Sequence, residues 1–394
     1  MGNTMRGKVA VGGVGETTYY KHGKSPDSEF KLALQAILAA CKNAGISPRE
    51  IDGFASYSDD RNSPVWLANA LGLKDVGLSV MQWDGGGGGA AGAVANGAAG
   101  IVSGQAKCVV VYRALAQGQF GRFGLFNGSY GVSGWMAHTV PYGVMSPPQL
   151  FAMKMMRFMH DHGVKQDAMR AISLASYHHA QSNPRAIMYG RPLDEAKYDE
   201  SRWIAEPFRL YDCCMENDGA AAIVLVPAER AKDLPNRPCY ILSGGSSIEE
   251  KSGGMGLFSH NTPNYASSNF TSLAKRLYEM ARVSPSDVDV LQSYENFTGG
   301  VLMSMVECGF CTPEEVGDFF KKENLIVGGK LPLNTSGGNL AECYMHGFGL
   351  VLEGVRQIYG KSTSQVKDAK VSMVTAGPMV APVSGCIFGA EDVL

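Results

Sequence analysis

Two cysteines at C-x-x-C spacing, Cys308-Gly-Phe-Cys311, and two histidine pairs, His160-Asp-His162 and His178-His179, are residues whose types and spacing could hold a metal or run thiol chemistry. Their surroundings argue against both. No second cysteine pair lies near Cys308 and Cys311, which read as two thiols in a turn after a helix. Both histidine pairs fall in helical-looking segments without a third spaced carboxylate or thiol, so no metal is expected. Nine cysteines are an odd number in a long chain, which argues against a disulfide framework. The positioning elements are the better guide.

A block of sequence occurs twice. Residues 44–57 read A-G-I-S-P-R-E-I-D-G-F-A-S-Y, and residues 281–294 read A-R-V-S-P-S-D-V-D-V-L-Q-S-Y. At a constant spacing of 237, Ala44, Ser47, Pro48, Asp52, Ser56 and Tyr57 each meet an identical residue. A period this long means duplicated halves, not a solenoid. Lys8–Gly13 and Cys239–Gly245 read as paired opening strands. Helices are expected over Glu29–Ala44, with Gly45 as the stop, and over about Ser268–Arg282. After the repeat strand each half has a glycine-rich loop, a helix and a strand. These are Asp84-Gly-Gly-Gly-Gly-Gly89, Ala90–Gly104 and Lys107–Tyr112, then Gly337-Gly338 to Gly349, Leu350–Gly360 and Lys370–Thr375. Alternating strands and helices imply α/β halves, 1–230 and 231–394, with mostly parallel sheets.

The second half closes at once through Gly385–Phe388. The first delays its last strand, Ala220–Val226, by about a hundred residues. That insertion, roughly 114–217, holds Phe120, Phe123, Phe126, Tyr130 and Trp135, then Met145, Met153, Met155, Met156 and Met159. Long insertions often serve as lids or binding loops, and Met-rich surface adapts to bulky ligands. A small core or a dimer interface is the other reading.

Composition excludes several function classes. Net charge is −2 and charged residues are 18%, so no basic stripe invites nucleic acid. The N-terminus has no apolar stretch of a signal peptide, and the Gly85–Val102 run, mostly Gly and Ala and broken at Asn96, is too weak to span a membrane. The 49 glycines, about 12% against the usual ~7%, lie between periodic segments and mark tight turns. A cytoplasmic protein is expected.

The residues resemble the thiolase superfamily, and within it the sterol-carrier thiolase-like branch. Asp212-Cys-Cys-Met-Glu-Asn-Asp-Gly-Ala-Ala-Ala-Ile-Val224 matches the segment before that branch's closing strand. Asn334-Thr-Ser-Gly-Gly-Asn-Leu-Ala-Glu-Cys-Tyr-Met-His-Gly347 looks like its N-x-x-G-G-x-x-x-x-G-H-P-x-G loop. Ser293-Tyr-Glu-Asn-Phe297 sits where the family has H-D-C-F or N-E-A-F. The resemblance covers essentially the whole chain. It implies a duplicated five-layered αβαβα fold, usually dimeric, acting on acyl-CoA thioesters, with no cofactor beyond the CoA of the substrate.

The departures change the chemistry that the resemblance implies. The nucleophile's elbow falls at about Gly87, inside five glycines. The catalytic His falls on Tyr344, and the Asn or His of the other motif on Tyr294. The second catalytic Cys falls in Thr375-Ala-Gly-Pro378, with no thiol. Covalent acyl-enzyme chemistry is therefore not expected, and Cys343 and Cys386 read as structural. Backbone N–H groups at Gly86, Gly87 and Gly88, with Asn296 and His346, become candidates for holding the thioester oxygen. Two phenols can move protons but attack poorly, which suits a retro-aldol cleavage beside the thioester. Phenols near pKa 10 make poor bases unless neighbours lower them, and Glu295, Asn296 and His346 are candidate neighbours. One tyrosine acting through a water is the alternative. The pattern is similar to bacterial steroid side-chain-cleaving aldolases, which imply a 17-keto steroid and propionyl-CoA as products. They also imply an OB-fold and zinc-ribbon partner, sometimes fused to a hydratase. Two other classes stay open: an acyltransferase using a thiol, and a non-catalytic lipid-CoA carrier or scaffold.

Overall fold

Val9 and Val11 leave the first strand on one side and Ala10 on the other, and each side meets its own apolar layer. This period-two alternation between two buried faces recurs through the sheet and sets the layering. The computed structural model describes residues 5–120, 137–250, 252 and 264–394. The first half contains β1 (Val9–Glu16), α1 (Glu29–Ala44), β2 (Gly53–Tyr57), β3 (Leu78–Gln82), α2 (Ala90–Val102) and β4 (Val109–Ala116). Two long helices of the insertion follow, α3 (Pro147–His162) and α4 (Gln166–Ala180), then β5 (Asn217–Pro227). The second half contains β6 (Cys239–Ser247), α5 (Thr271–Ala281), β7 (Val290–Ser293), α6 (Thr298–Glu307), α7 (Phe348–Tyr359), β8 (Val371–Ala376) and β9 (Val383–Gly389).

The strands run β7-β8-β9-β6-β1-β5-β4-β2-β3 in one continuous sheet. Reading outward from the antiparallel β1–β6 contact, each half repeats the same order and the same directions. β1–β5–β4 and β6–β9–β8 are antiparallel, and β4–β2 and β8–β7 are parallel. The second half's counterpart of β3 shrinks to a single parallel bridge, Leu291 with Leu333. Helices α2 and α7 touch each other and the strands of both halves, forming a central layer. Helix α1 covers the outer face of the first half and α5 that of the second. The layers are therefore α, β, α, β, α.

The expectation of mostly parallel sheets fails. Antiparallel pairings outnumber parallel ones, because in each half the last strand inserts between the first strand and the parallel pair. Alternating strands and helices do not reveal such an insertion.

Helix α1 starts where Ser28 Oγ accepts from the Lys31 N–H and stops at Gly45, whose φ of 65° is left-handed. The repeated aspartates do the same task in both halves. Asp52 accepts from the N–H groups of Lys107 and Cys108, and Asp289 from those of Lys370 and Val371. Each carboxylate pins the start of the neighbouring parallel strand, which explains why the S-P-x-x-[IV]-D block precedes a strand twice.

The insertion packs a core against the second half. Phe151, Met155, Met169 and Ile172 share a buried cluster with Phe297, Val301, Met305 and Leu333. Met155 is fully buried against Gly299 and Phe208, whereas Met145, Met153 and Met156 are exposed. Phe123, Phe126, Tyr130 and Trp135 lie outside the described residues. Among the described residues no helix is long and apolar enough to cross a membrane.

Candidate functional site

Three motif segments meet behind the glycine turn, each held by backbone hydrogen bonds. Ser293 ends β7, where its N–H donates to Asn334 Oδ1 and its carbonyl accepts from Asn334 Nδ2, both at 2.8 Å. The next residue, Tyr294, donates its N–H to the Thr375 carbonyl at 2.9 Å. The Tyr344 N–H donates to Asn217 Oδ1 at 2.9 Å. Asn334 and Asn217 thus fix the two tyrosines by their backbones and leave both phenols free to point inward. The hydroxyls of Tyr294 and Tyr344 meet at 2.9 Å, with their rings edge to face.

The phenol of Tyr294 lies against Gly87. A Cβ at Gly87 would collide with its hydroxyl oxygen, and a Cβ at Gly347 with its ring. The elbow holds no open volume, because the phenol fills it. The turn itself is Asp84, Gly85 and Gly86, all with positive φ, leading into α2. Only residues tolerant of left-handed backbone hold this path. The Gly88 N–H, expected to face a substrate oxygen, donates instead to the Gly85 carbonyl at 2.7 Å. The Gly88 carbonyl accepts from Ser384 Oγ, and Gly88 packs on Gly377 and Pro382. Gly88 is therefore structural.

Burial pushes both phenols above their ordinary pKa, and the neighbouring Cys214 adds to the rise. No neighbour turns either into a base in the resting protein. Glu295 points away, accepting from the Asn339 N–H at 2.9 Å and from Ser176 Oγ at 3.3 Å. Its carboxyl is fully buried and is pushed up to about 8 by that burial. Asn296 is also committed, with Oδ1 accepting from the Phe297 N–H and Nδ2 reaching the Pro378 carbonyl at 3.5 Å. Of the candidate neighbours only His346 stands at the phenols, its ring centroid 5.8 Å from that of Tyr344.

Sequence reasoning missed Arg113. It is a lone charge inside the otherwise apolar strand Val109–Ala116, and that contrast was the available signal. The side chain is buried beside Asp60 and donates to Asp59 Oδ1 at 2.9 Å, to the Tyr57 carbonyl at 2.9 Å and to His346 Nδ1 at 3.0 Å. Tyr57, the repeat-mate of Tyr294, donates its hydroxyl to the His346 carbonyl at 2.9 Å.

All nine cysteines are unpaired. Burial raises the thiols of Cys214, Cys343 and Cys386, and Cys386 donates to the Ala91 carbonyl at 3.1 Å. Among the described residues, no three His, Cys, Asp or Glu gather around a possible metal position. A cavity of about 470 Å³ borders the turn at Asp84 and is lined also by Trp83, Ser246, Ser247 and Pro382 among others. Neither tyrosine lines it.

Residues 257–389 match the thiolase C-terminal domain-like family. The chain is 36% identical to the steroid side-chain-cleaving aldolase of Thermomonospora curvata, over 99% of this chain and all of that one. It is 36% identical to the 17-hydroxy-3-oxo-4-pregnene-20-carboxyl-CoA lyase of Mycobacterium tuberculosis, over 98% and 100%. The solved Ltp2–ChsH2(DUF35) aldolase matches with a TM-score of 0.92 and 35% identity, covering 98% of this chain and 99% of that one. Human mitochondrial 3-ketoacyl-CoA thiolase shares the fold at a TM-score of 0.69 and 14% identity, over 98% and 100%. On these likenesses the chain belongs to the steroid side-chain-cleaving aldolases, a branch of the thiolase superfamily.

Proposed function

We propose that this chain cleaves a β-hydroxy steroid side-chain acyl-CoA by a retro-aldol reaction. The products are a 17-keto steroid and a short acyl-CoA such as propionyl-CoA, as in bacterial sterol or bile-acid breakdown. The observation that carries this reading is the 2.9 Å contact between the Tyr294 and Tyr344 hydroxyls at the Gly87 elbow. Two phenols in contact can work as a relay. Tyr344 takes the β-hydroxyl proton while giving its own to Tyr294. The Cα–Cβ bond breaks, its electron pair moves onto the thioester as an enolate, and Tyr294 delivers its own proton to Cα in the same concerted shift as it receives that of Tyr344, so neither oxygen ever holds two protons. Each phenol ends neutral, so neither must lose its proton to solvent, which burial opposes. The reverse assignment of the two tyrosines uses the same relay.

No thiol takes part in this scheme. The buried Cys343 and Cys386, both raised well above the ordinary thiol range, do not favour an acyltransferase. The cavity beside the turn combines serines with an exposed Trp83, a lining suited to a ligand part polar and part apolar. The active unit we envisage is a cytoplasmic homodimer of two-half subunits, 1–230 and 231–394. It would be joined by a DUF35 partner with an OB-fold and zinc ribbon, alone or fused to a hydratase; the likeness to the solved Ltp2–ChsH2(DUF35) aldolase supports a DUF35 partner.

The test is product analysis by mass spectrometry with a β-hydroxy steroid-CoA, with and without the partner. A 17-keto steroid and short acyl-CoA in equal amounts are expected, with weak turnover by the isolated chain. A mass-detected acyl-enzyme, or binding without turnover in the complex, would overturn the aldolase reading.

A further inference from the structure

We propose that His346 is a neutral Nε2–H donor to the thioester oxygen as it becomes an enolate, and that Arg113 is the positioning residue that fixes this tautomer. The inference rests on the retro-aldol reading above and adds the group that receives the developing charge.

The tautomer follows from donor chemistry. Arg113 Nη2 lies 3.0 Å from His346 Nδ1. A guanidinium has only donors, so Nδ1 must be the acceptor in that bond. A neutral imidazole carries one proton, which then sits on Nε2. A second proton would have to enter at Nδ1, against the Arg113 charge. Burial first, and Arg113 next, hold the ring down at about 3, with Asp59 opposing weakly. The group is thus an N–H donor that does not become a cation at working pH.

The aim of that N–H follows from the glycine turn. A Cβ at Gly86 would stand 3.4 Å from His346 Nε2, so the Nε2 edge of the ring faces the turn at its φ of +52°. On the same turn, Gly87 adjoins the Tyr294 phenol. The same short turn therefore adjoins both the Nε2 edge and the Tyr294 phenol, which is the arrangement a thioester protonated at Cα by the phenol pair would need.

The frame holding the ring is closed. Arg113 Nη1 donates to the Tyr57 carbonyl at 2.9 Å, and the Tyr57 hydroxyl donates to the His346 carbonyl at 2.9 Å. His346 itself has a φ of +53°, a conformation costly for a residue with a side chain. Asp59 and Asp60 balance the buried Arg113 from the loop after β2. A strained residue gripped at its ring and at its carbonyl by the same pair, Arg113 and Tyr57, is a preorganised donor. His346 forms no covalent bond and transfers no proton; the enolate's proton comes from the tyrosines.

The experiment uses the complex with its partner and a β-hydroxy steroid-CoA. His346→Phe should lower kcat about 10²–10³-fold with KM little changed, the usual effect of losing one such donor. His346→Gln, which keeps an N–H, should recover roughly tenfold of that loss. NMR of histidine-labelled protein should show His346 protonated at Nε2 alone across about pH 5 to 9. Arg113→Lys keeps the charge beside Asp59 and Asp60 but loses the planar fork; it should mix the tautomers and lower kcat, again at constant KM. Nδ1 protonation in the wild type, or a His346→Phe enzyme near full rate, overturns the inference. If His346→Phe fails to fold, the NMR result and the Gln variant still decide it. Tyr294→Phe and Tyr344→Phe are measured alongside: if they are inactive while His346→Phe is active, only this inference falls. If both tyrosine variants are active, the retro-aldol relay falls first.

Discussion

Tyr294 and Gly87 occupy each other's space: the phenol of one stands where the side chain of the other would begin. The nucleophile's elbow cannot carry a cysteine while Tyr294 is present, so the two departures from the thiolase pattern are one change. Gly87→Ala should push the phenol off Tyr344 and lower the cleavage rate about 10²-fold or more. Overpacking should also cost about 1–3 kcal/mol of stability. Steady-state kinetics and thermal unfolding of Gly87→Ala check this. A variant with unchanged rate would mean that the phenol's position does not matter to the chemistry.

The tyrosine hydroxyls should matter far more to rate than to folding. Tyr294→Phe and Tyr344→Phe each should lose about 10²–10⁴-fold in kcat, as expected for a general acid or base. Each also leaves one buried hydroxyl without its partner, a cost of about 1–3 kcal/mol. Cys343→Ser and Cys386→Ser should lose far less rate. A cysteine variant that kills activity beside two active phenylalanine variants would restore a thiol mechanism.

Much of this was legible in the sequence because it depended on short segments. The block repeated at a spacing of 237 carries two aspartates with the same backbone bonds, and the glycine run fixes the elbow. What was not legible depended on long-range pairing. The insertion of β5 between β1 and β4 leaves no local mark, so the sheets were expected to be mostly parallel. Asn296 carries the right atoms but turns them toward Pro378 and Phe297. The role of Arg113 needed the fold, since His346 is 233 residues away.

Glu295 gives a pH prediction. Its carboxyl is raised to about 8 in the fold, from an ordinary value of 4.5, chiefly by burial. A raised pKa means that the folded state keeps a proton which the unfolded chain releases. The stabilisation is fully present below about pH 4.5 and is lost as pH rises through 8. Across that window stability should fall by about 1.4 kcal/mol per pH unit for this one group. Glu295→Gln should flatten the slope and raise Tm at about pH 8 to 9, while kcat stays within a few-fold, because the carboxyl faces Asn339 and Ser176 rather than the phenols. Thermal melts against pH read the first effect and steady-state rates the second. A dead but stable Glu295→Gln would make Glu295 part of the proton relay.

The paired aspartates test the duplicated fold without touching the site. Asp52 and Asp289 each accept two backbone N–H groups at the start of the adjacent strand. Removing either carboxylate strips charge-assisted hydrogen bonds and leaves donors at a strand start to be met only by water. Each bond to a charged group contributes about 1.5–3 kcal/mol, less where solvent reaches, as it does at Lys107 and Lys370. Asp52→Ala and Asp289→Ala should therefore each lower stability by about 2–4 kcal/mol. Denaturant unfolding should show similar losses for both, since the geometry is the same in the two halves. The double variant should be additive, because the sites are 237 residues apart and lie in different half-sheets. Activity per folded molecule should not change. A large loss from one aspartate and none from the other would show that the repeat has kept its sequence but not its structural task.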